Sequence, residues 1–158
     1  MEKKQPAASQ VTLTQLMGPT EANSMGNVHG GIIMKLCDEA GGMAAVKHAR
    51  RPAVTVTVDS MSFKSPVSIG NLLKVEAQIT WVGRTSMEAR IHVSAENVIT
   101  GQVTHTNTAY FVYVALGEDG RPVEVPGLEL TTETEREMFA RAEARQAYRL
   151  EQRRQGNL

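Results

Sequence analysis

The residues of this chain best suited to chemistry lie between Asn23 and Asp38. Gly30 and Gly31 stand where a helix is predicted to begin, and the first N–H groups of a helix have no partner within it. These N–H groups lie at the positive end of the helix dipole, and glycine lets a ligand approach them closely. The pattern predicts a binding site for a phosphate, or for the oxyanion that develops on a carbonyl group.

Asp38 is unusual because its predicted helix is apolar on almost every side. The apolar residues of this helix are Ile32, Ile33, Met34, Leu36, Cys37, Ala40, Met43, Ala44 and Val46. Such a helix is expected to be buried, and a buried carboxylate must be paired, protonated or functional. Asp38 is therefore a candidate catalytic residue. The alternative is a structural carboxylate that accepts hydrogen bonds from backbone amides or Ser/Thr hydroxyls.

The spacing between these groups limits how they can work together. Gly30 and Asp38 are eight residues apart, which is about 12 Å of helical rise. Groups of one helix at that separation cannot both contact one reacting carbonyl. Two antiparallel copies of the helix could bring them together, so the spacing predicts an active site at a homodimer interface. Gly41 and Gly42 would help two such helices pack closely.

Other residues near this segment have competing interpretations. Asn23 is either a functional group or a turn residue. His29 is a candidate general base, or a residue that forms a local hydrogen bond at the helix start. Cys37 is a candidate nucleophile, although a lone cysteine on an apolar helical face is usually an inert core residue. The remaining histidines lack metal-ligand spacing, so no metal site is expected. The sequence also contains no phosphate-binding loop or dinucleotide fingerprint.

The elements that position these residues follow from hydrophobic periodicity. A helix from about Gly30 to Ala49 follows a short strand and a loop rich in turn-forming residues. Four longer strands then follow, joined by short links that favour antiparallel hairpins. The predicted strands cover residues 11–16, 54–63, 72–82, 86–95 and 103–116. An antiparallel sheet curled around one apolar helix would bury both, which predicts an α+β fold.

Composition narrows the function classes. The chain has 158 residues, enough for one domain, and its 17 basic and 17 acidic residues give no net charge. This balance argues against nucleic-acid binding, which depends on an excess of basic residues. No apolar run is long enough for a transmembrane helix, and the N-terminus lacks the apolar core of a signal peptide. With a single cysteine, the sequence indicates a cytoplasmic protein without disulfides.

The two ends of the chain are predicted to differ from the central domain. We expect a disordered N-terminus over residues 1–9, a central domain over 10–128 and a charged helix and tail over 129–158. In the last segment an arginine recurs every fourth residue, at Arg141, Arg145, Arg149 and Arg153. The helix is either solvated and braced by pairs such as Glu137–Arg141, or its arginines reach a phosphate or a neighbouring subunit.

Several motifs together resemble the acyl-CoA hydrolase branch of the hot-dog thioesterases. The first is Asn23-x-x-Gly-Asn-x-His-Gly-Gly31, and it continues into Asp38-Glu-Ala-Gly41. Phe63-Lys-Ser-Pro-Val67 and Val82-Gly-Arg-Thr-Ser86 follow, and the match ends in the threonine-rich last strand. The resemblance covers about residues 10 to 117. It implies a long central helix wrapped by a five- to six-stranded antiparallel sheet, to which this chain adds a C-terminal helix.

The resemblance also implies an activity and an assembly. It implies hydrolysis of acyl-CoA to a carboxylic acid and CoA by a hot-dog dimer, often within a trimer of dimers. No metal is implied, and CoA is part of the substrate rather than a cofactor. Asn23 and Asp38 match the functional pair of the family, which is contributed across the dimer. We expect Asp38 to act as general base or nucleophile, and the amides of Gly30 or Gly31 to hold the thioester oxygen.

Binding of CoA is expected to involve the cations of two loops. Lys64 and Arg84, with Thr85 and Ser86 beside them, suit phosphate groups, although they could be ordinary exposed turn residues. Two rival functions remain on sequence grounds. A hot-dog dehydratase or hydratase would use His29 as its catalytic histidine. A non-catalytic regulator that binds acyl-CoA or a nucleotide would fit the arginine stripe but would leave Asp38 without a role.

Overall fold

A computed structural model describes all 158 residues, and its centre is one curved antiparallel sheet. The sheet has five strands, and its spatial order is β1-β3-β4-β5-β2, so that β1 and β2 form the two edges. The strands are β1 (Val11–Leu16), β2 (Ala53–Val58), β3 (Leu72–Val82), β4 (Ser86–Glu96) and β5 (Val103–Ala115). The sequence predicted the bounds of β1 and β3 correctly and placed the ends of β4 and β5 within one residue.

Helix α1 (Gly30–Ala49) lies against one face of this sheet. It begins where the His29 side chain accepts a hydrogen bond from the N–H of Gly31, and it ends at Arg50, which adopts a left-handed conformation with φ 53°. Strands β3, β4 and β5 supply alternate residues to the core shared with α1, such as Ile91 at the centre of β4. The predicted arrangement of one helix wrapped by an antiparallel sheet is confirmed.

The burial of α1 differs from the prediction. The helix is not enclosed on all sides, because Met34, Asp38, Met43 and Val46 are exposed in the single chain. A five-stranded sheet with β2 at its edge covers only one side of a helix of this diameter. Apolar composition around the helix therefore does not mean complete burial within one subunit.

Helix α2 (Glu133–Arg154) packs on the opposite face of the sheet. Thr132 and Glu135 form a capping box that explains where the helix starts. The ring of Phe139 lies 6.5 Å from that of Trp81 on β3, and Ala142 is fully buried. The expected C-terminal helix is present, but it is docked on the sheet rather than solvated on all sides.

Two segments depart from the predicted elements. Strand β2 ends at Val58 rather than at residue 63. The chain then continues beside β5 through two separate backbone hydrogen bonds, from Asp59 to the carbonyl of Tyr110 and from Lys64 to that of Thr106. The prediction that residues 1–9 are disordered is wrong for residues 4–9. Ser9 is fully buried, and its hydroxyl accepts a hydrogen bond from the N–H of Ile79.

The ordered N-terminal segment ties distant parts of the chain together. The Lys4 ammonium group donates to the carbonyl of His48 at 2.7 Å, near the end of α1. The Lys4 backbone also exchanges hydrogen bonds with Gly127 and Glu129. Composition suggested disorder because these partners lie far along the chain, where no local pattern reveals them.

Candidate active site

The carboxylate of Asp38 is bound by two hydroxyl groups from the sheet. Thr55 on β2 donates a hydrogen bond to Asp38 Oδ1 at 2.6 Å, and Tyr113 on β5 donates to the same oxygen at 3.1 Å. Both of these hydrogen bonds go to Oδ1, so Asp38 Oδ2 has no protein partner, and Asp38 is exposed in the single chain. One oxygen is therefore fixed by neutral donors, and the other is free to accept a proton or attack a carbonyl.

Tyr113 reaches Asp38 because Gly41 leaves room for it. The tyrosine is only 1% exposed, and a Cβ atom added at Gly41 would overlap the Tyr113 hydroxyl. Burial, and then the nearby Asp38 carboxylate, raises the pKa of Tyr113, so that its hydroxyl stays protonated and donates to Asp38. The close neighbour of Gly41 is therefore Tyr113 of the same chain, not a second α1 helix, and the predicted packing of two helices at the glycines stays a prediction.

Asn23 organises the loop that precedes α1. Its Oδ1 accepts hydrogen bonds from the N–H of Met25 at 2.9 Å and of Asn27 at 3.1 Å. These two donors fix the orientation of the amide, because both must face the oxygen. The Nδ2 group is left without a protein partner. Asn23 is thus a turn residue, as one interpretation held, and its side chain also presents a free N–H donor.

His29 and Gly31 form a hydrogen bond with each other at the start of α1. The Gly31 N–H donates to His29 Nδ1 at 3.0 Å, so Nδ1 carries no proton. In the neutral ring the proton is then on Nε2, and neither nitrogen has a free lone pair to act as a general base. Gly31 is likewise removed as a donor to a ligand. The Gly30 N–H has no hydrogen-bond partner and remains the available backbone donor.

Asn23 and Gly30 line the same cleft. It has a volume of about 210 Å³, and the Phe63 ring covers Gly30 at its edge. Asp38 does not line this cleft and lies about 12 Å further along α1, by the rise of eight helical residues. One chain therefore brings the two candidate oxyanion donors together but keeps them apart from the candidate base or nucleophile.

The candidate CoA-binding residues also fall into two places. Lys64 follows Phe63 and lies near the cleft, whereas Arg84, Thr85 and Ser86 form the turn between β3 and β4. The Arg84 side chain is 80% exposed, with the Glu124 carboxylate 3.8 Å away. This turn lies towards Asp38, because Ser86 pairs with the residue that follows Tyr113.

Cys37 does not belong to this site. It is fully buried, and burial, with a smaller effect from the Asp38 carboxylate, raises the pKa of its thiol to about 12. A thiol that stays protonated near neutral pH is a poor nucleophile, which supports its interpretation as a core residue. The structure contains no cluster of three or more His, Cys, Asp or Glu side chains able to hold a metal ion.

The sequence analysis missed Thr55 and Tyr113. Thr55 is one of several alternating threonines in β2, and Tyr113 is one of several aromatic residues in β5. Both lie far from Asp38 along the chain, at separations of 17 and 75 residues. The one available signal was the glycine pair at Gly41 and Gly42, because glycine inside a helix costs stability and leaves room for a close neighbour, here Tyr113.

None of the helices is both long enough and apolar enough to cross a membrane. The chain matches the family model described as the thioesterase superfamily over residues 25–102. It is 38% identical to protein VdlD of Helicobacter pylori over 127 residues, covering 80% of this chain and 72% of VdlD. It is 34% identical to the cytosolic acyl coenzyme A thioester hydrolase of Rattus norvegicus over 139 residues, which are 87% of this chain but only 36% of that protein.

Solved structures extend the similarity to the whole chain, including α2. An apo-hexameric acyl-CoA thioesterase is similar with a TM-score of 0.92 and 34% identity, covering 96% of this chain and 97% of that one. An acyl-CoA hydrolase from Bacillus cereus gives a TM-score of 0.93 and 30% identity, covering 99% and 95%. The hot-dog architecture expected from the sequence is confirmed, and the chain belongs to the thioesterase superfamily.

Proposed function

We propose that this protein hydrolyses acyl-CoA to a carboxylic acid and CoA, at a site completed by two subunits. The observation that carries this proposal is the separation of functional groups within one chain. Asn23 and Gly30 line a cleft that Asp38 does not reach, yet thioester hydrolysis needs oxyanion donors and a base or nucleophile around one carbonyl. Several similar proteins are named as acyl-CoA hydrolases or thioesterases, which supports acyl-CoA as the substrate class.

The surface around Asp38 supports a dimer. Exposed apolar side chains lie on α1 and on the adjacent edge strand β2; they are Met34, Met43, Val46, Val54, Val56 and Val58. An apolar edge strand with unpaired backbone groups is unfavourable in a monomer and suited to pairing with another strand. A twofold axis through this surface would place α1 helices side by side and bring the Asn23 cleft of one subunit towards Asp38 of the other. A similar protein is named as hexameric, which supports a trimer of such dimers.

The donors of the cleft suit the thioester carbonyl. The Gly30 N–H and the Asn23 Nδ2 group are both free of protein partners, and both can donate to the same oxygen. Their hydrogen bonds strengthen as negative charge develops on that oxygen, which stabilises the transition state more than the substrate. Asn23 thus acts as a donor, because its own oxygen is held by two backbone amides.

Asp38 supplies the other half of the reaction. As general base, Oδ2 takes a proton from a water molecule whose oxygen attacks the carbonyl carbon. As nucleophile, Oδ2 attacks the carbon itself and forms an anhydride, which water then hydrolyses. In both routes the C–S bond breaks and the CoA thiolate leaves with the electron pair. Because a thiol has a pKa of about 8.5, this leaving group needs little help from a general acid.

The groups around the site fit the rest of the substrate. Lys64 and Arg84 provide positive charge for the CoA phosphates, and Thr85 and Ser86 provide hydroxyl donors in the same turn. His29 is limited to an accessory role as an Nε2 donor, since its Nδ1 is occupied. No cofactor is needed beyond the CoA of the substrate. We place the reaction in the cytoplasm, in line with the name of the rat relative.

Complementation between two inactive variants tests the shared site. Asp38→Asn and Asn23→Ala are each expected to abolish release of thiol from a panel of acyl-CoA substrates. When the two variants are co-expressed, a mixed dimer has one doubly altered site and one intact site. Random pairing should therefore restore about a quarter of the wild-type activity.

The control for this experiment is co-expression of Asp38→Asn with itself under a second affinity tag, which should stay inactive. Activity that remains absent in isolated mixed dimers would overturn the two-subunit site. Wild-type turnover by Asp38→Asn alone would overturn the assigned role of Asp38. No thiol release by the wild-type protein with any acyl-CoA would overturn the proposed function.

A further inference from the structure

The Tyr113 hydroxyl lies between two acceptors that both belong to Asp38. It is within hydrogen-bond distance of the carboxylate oxygen Oδ1 and of the backbone carbonyl of Asp38, and both distances are 3.1 Å. A hydroxyl group has only one proton to donate, and this proton turns about the C–O bond to suit its partners. The tyrosine can therefore donate to either acceptor without moving its ring.

The surrounding packing holds the Tyr113 ring in place. The residue is buried, and a Cβ atom added at Gly41 would meet both the Tyr113 side chain and Ile91 on β4. Burial, more than the nearby Asp38 charge, raises the pKa of the hydroxyl, so its proton stays on the oxygen near neutral pH. With the ring and the proton both held, the choice of acceptor is the freedom that remains to this side chain.

Thr55 differs from Tyr113 in this respect. Its hydroxyl donates to Asp38 Oδ1 at 2.6 Å and forms no hydrogen bond to a backbone carbonyl. Thr55 on β2 lies directly opposite Tyr113 on β5, so both hydroxyls approach the carboxylate from the sheet. Thr55 is thus a fixed donor to the carboxylate, whereas Tyr113 has an alternative acceptor on the helix backbone.

The charge of Asp38 decides between the two acceptors of Tyr113. Hydrogen bonds to an ionised group are about twice as strong as those between neutral groups, so a charged Asp38 attracts the tyrosine proton to Oδ1. During hydrolysis Asp38 loses this charge, because Oδ2 either takes a proton from water or forms an anhydride with the acyl group. Oδ1 is then a neutral oxygen, and the backbone carbonyl competes with it for the same proton on equal terms.

We propose that Tyr113 is a positioning residue with a two-position hydrogen bond. While Asp38 is charged, the hydroxyl donates to Oδ1 and fixes the plane of the carboxylate, which leaves Oδ2 free to react. When Asp38 is neutralised, the same hydroxyl turns to the Asp38 backbone carbonyl. The proton stays on the tyrosine oxygen throughout, and only its acceptor changes. This inference rests on the proposed role of Asp38 in thioester hydrolysis.

The second acceptor removes a conflict between orientation and reaction. An interaction that is stronger in the ground state than in the transition state raises the barrier to reaction. A buried donor that could bind only the charged carboxylate would lose its partner as that charge is consumed, and a buried hydroxyl without a partner is costly. The backbone carbonyl offsets this loss, so Tyr113 can orient Asp38 before the reaction without opposing the reaction itself.

Tyr113→Phe tests the positioning role through kinetics. Removal of the hydroxyl should lower kcat for acyl-CoA hydrolysis about tenfold and leave KM within about twofold, because the hydroxyl acts on Asp38 and not on the substrate. Tyr110→Phe is the matched control, since Tyr110 lies on the same strand and its ring contacts Arg145 of α2 on the opposite face of the sheet. Equal kcat values in the two variants would overturn the positioning role.

A double-mutant cycle tests the alternative acceptor through stability, without any assay of activity. In Asp38→Leu, the exposed leucine fills the space of the aspartate but offers no acceptor, so the hydroxyl can donate only to the backbone carbonyl. Tyr113→Phe in this background should lower the midpoint of urea unfolding, because that hydrogen bond is lost. An unchanged or raised midpoint would overturn the two-position hydrogen bond. Absence of thiol release by the wild-type protein would instead overturn the proposed function, which this cycle does not measure.

Discussion

Asp38 and Glu88 are carboxylates on opposite faces of the same sheet, and their surroundings differ in charge. Asp38 is exposed, receives hydrogen bonds from the neutral hydroxyls of Thr55 and Tyr113, and keeps one oxygen free. Glu88 is fully buried, and both of its oxygens are held by the guanidinium groups of Arg145 and Arg149. The first carboxylate is oriented but not neutralised, whereas the second is neutralised completely.

The contrast shows how one fold uses the same functional group for two purposes. Arg149 also pairs with Asp59 at 2.8 Å, so a network of two acids and two arginines attaches α2 to the sheet and to the end of β2. No such cation lies within hydrogen-bond distance of Asp38. Neutral donors fix the position of a carboxylate while leaving its charge available for chemistry, and arginines use that charge for attachment.

The largest expected effect is on catalysis, at Asp38. Asp38→Asn should lower kcat about a thousandfold, or ~4 kcal/mol in transition-state stabilisation, with acyl-CoA binding retained. The thermal unfolding midpoint should change little, because the amide oxygen can still accept from Thr55 and Tyr113. The control is Glu39→Gln, the next residue on the exposed side of α1, which should remain active. Similar kcat values for Asp38→Asn and Glu39→Gln would show that Asp38 has no catalytic role, and the contrast with Glu88 would then be lost.

The second prediction concerns stability, at Glu88. Glu88→Gln should lower the free energy of unfolding by about 3 kcal/mol, because it leaves the buried Arg149 and the partly buried Arg145 with one fewer counter-charge. Urea unfolding at a fixed protein concentration measures this loss. Thiol release below the unfolding transition should persist, since Glu88 faces away from α1. Glu96→Gln, at the last residue of the same strand and outside every ion pair, serves as the control, and equal stability of both variants would contradict the structural role of Glu88.

A smaller effect on catalysis is expected from the neutral donors. Thr55→Val should lower kcat about tenfold, equivalent to ~1.4 kcal/mol, by removing the 2.6 Å hydrogen bond that orients Asp38. The KM should change less than kcat, because the donor acts through Asp38 and not on the substrate. Thr57→Val, two residues further along β2, is the matched control. Unchanged kcat in Thr55→Val would show that Tyr113 alone orients the carboxylate.

The smallest effect concerns pH, and it comes from a histidine rather than from either carboxylate. Burial lowers the pKa of His48 from its usual 6.5, and the Lys4 ammonium group adds to this, against the hydrogen bond to the Pro126 carbonyl. The folded state therefore favours the neutral ring. Its contribution to stability is present above pH 6.5 and is lost as the pH falls through the lowered pKa.

Unfolding by urea at pH 7.5 and pH 5.5 checks this expectation. The wild-type protein should lose more stability over this interval than His48→Gln. An equal loss in both proteins would assign the acid sensitivity to other groups. That result would direct attention back to the buried Glu88 network.

The sequence predicted the helices and most strand ends, and it identified Asp38, but it did not identify the side chains that bind it. The alternating pattern of β3 and the glycine-opened start of α1 predict their bounds, because both depend on local periodicity. Asp38 was identified because a charge interrupts an apolar helix. Glu88 was not, because it alternates with apolar residues like any surface residue of a strand, and only α2, 57 residues later, buries it. Partners brought together by tertiary packing leave no local signal.

The strand order also has a consequence for how the chain folds. Strands β3, β4 and β5 are neighbours in both the sequence and the sheet, so their pairing closes only short loops. By contrast, Val11 of β1 pairs with Ala77, and Ala53 of β2 pairs with Ala115. We expect the central three strands to form first. During synthesis, α1 leaves the ribosome before its sheet exists. Its apolar side therefore stays exposed to solvent until the sheet forms, and a chaperone can bind it during that time.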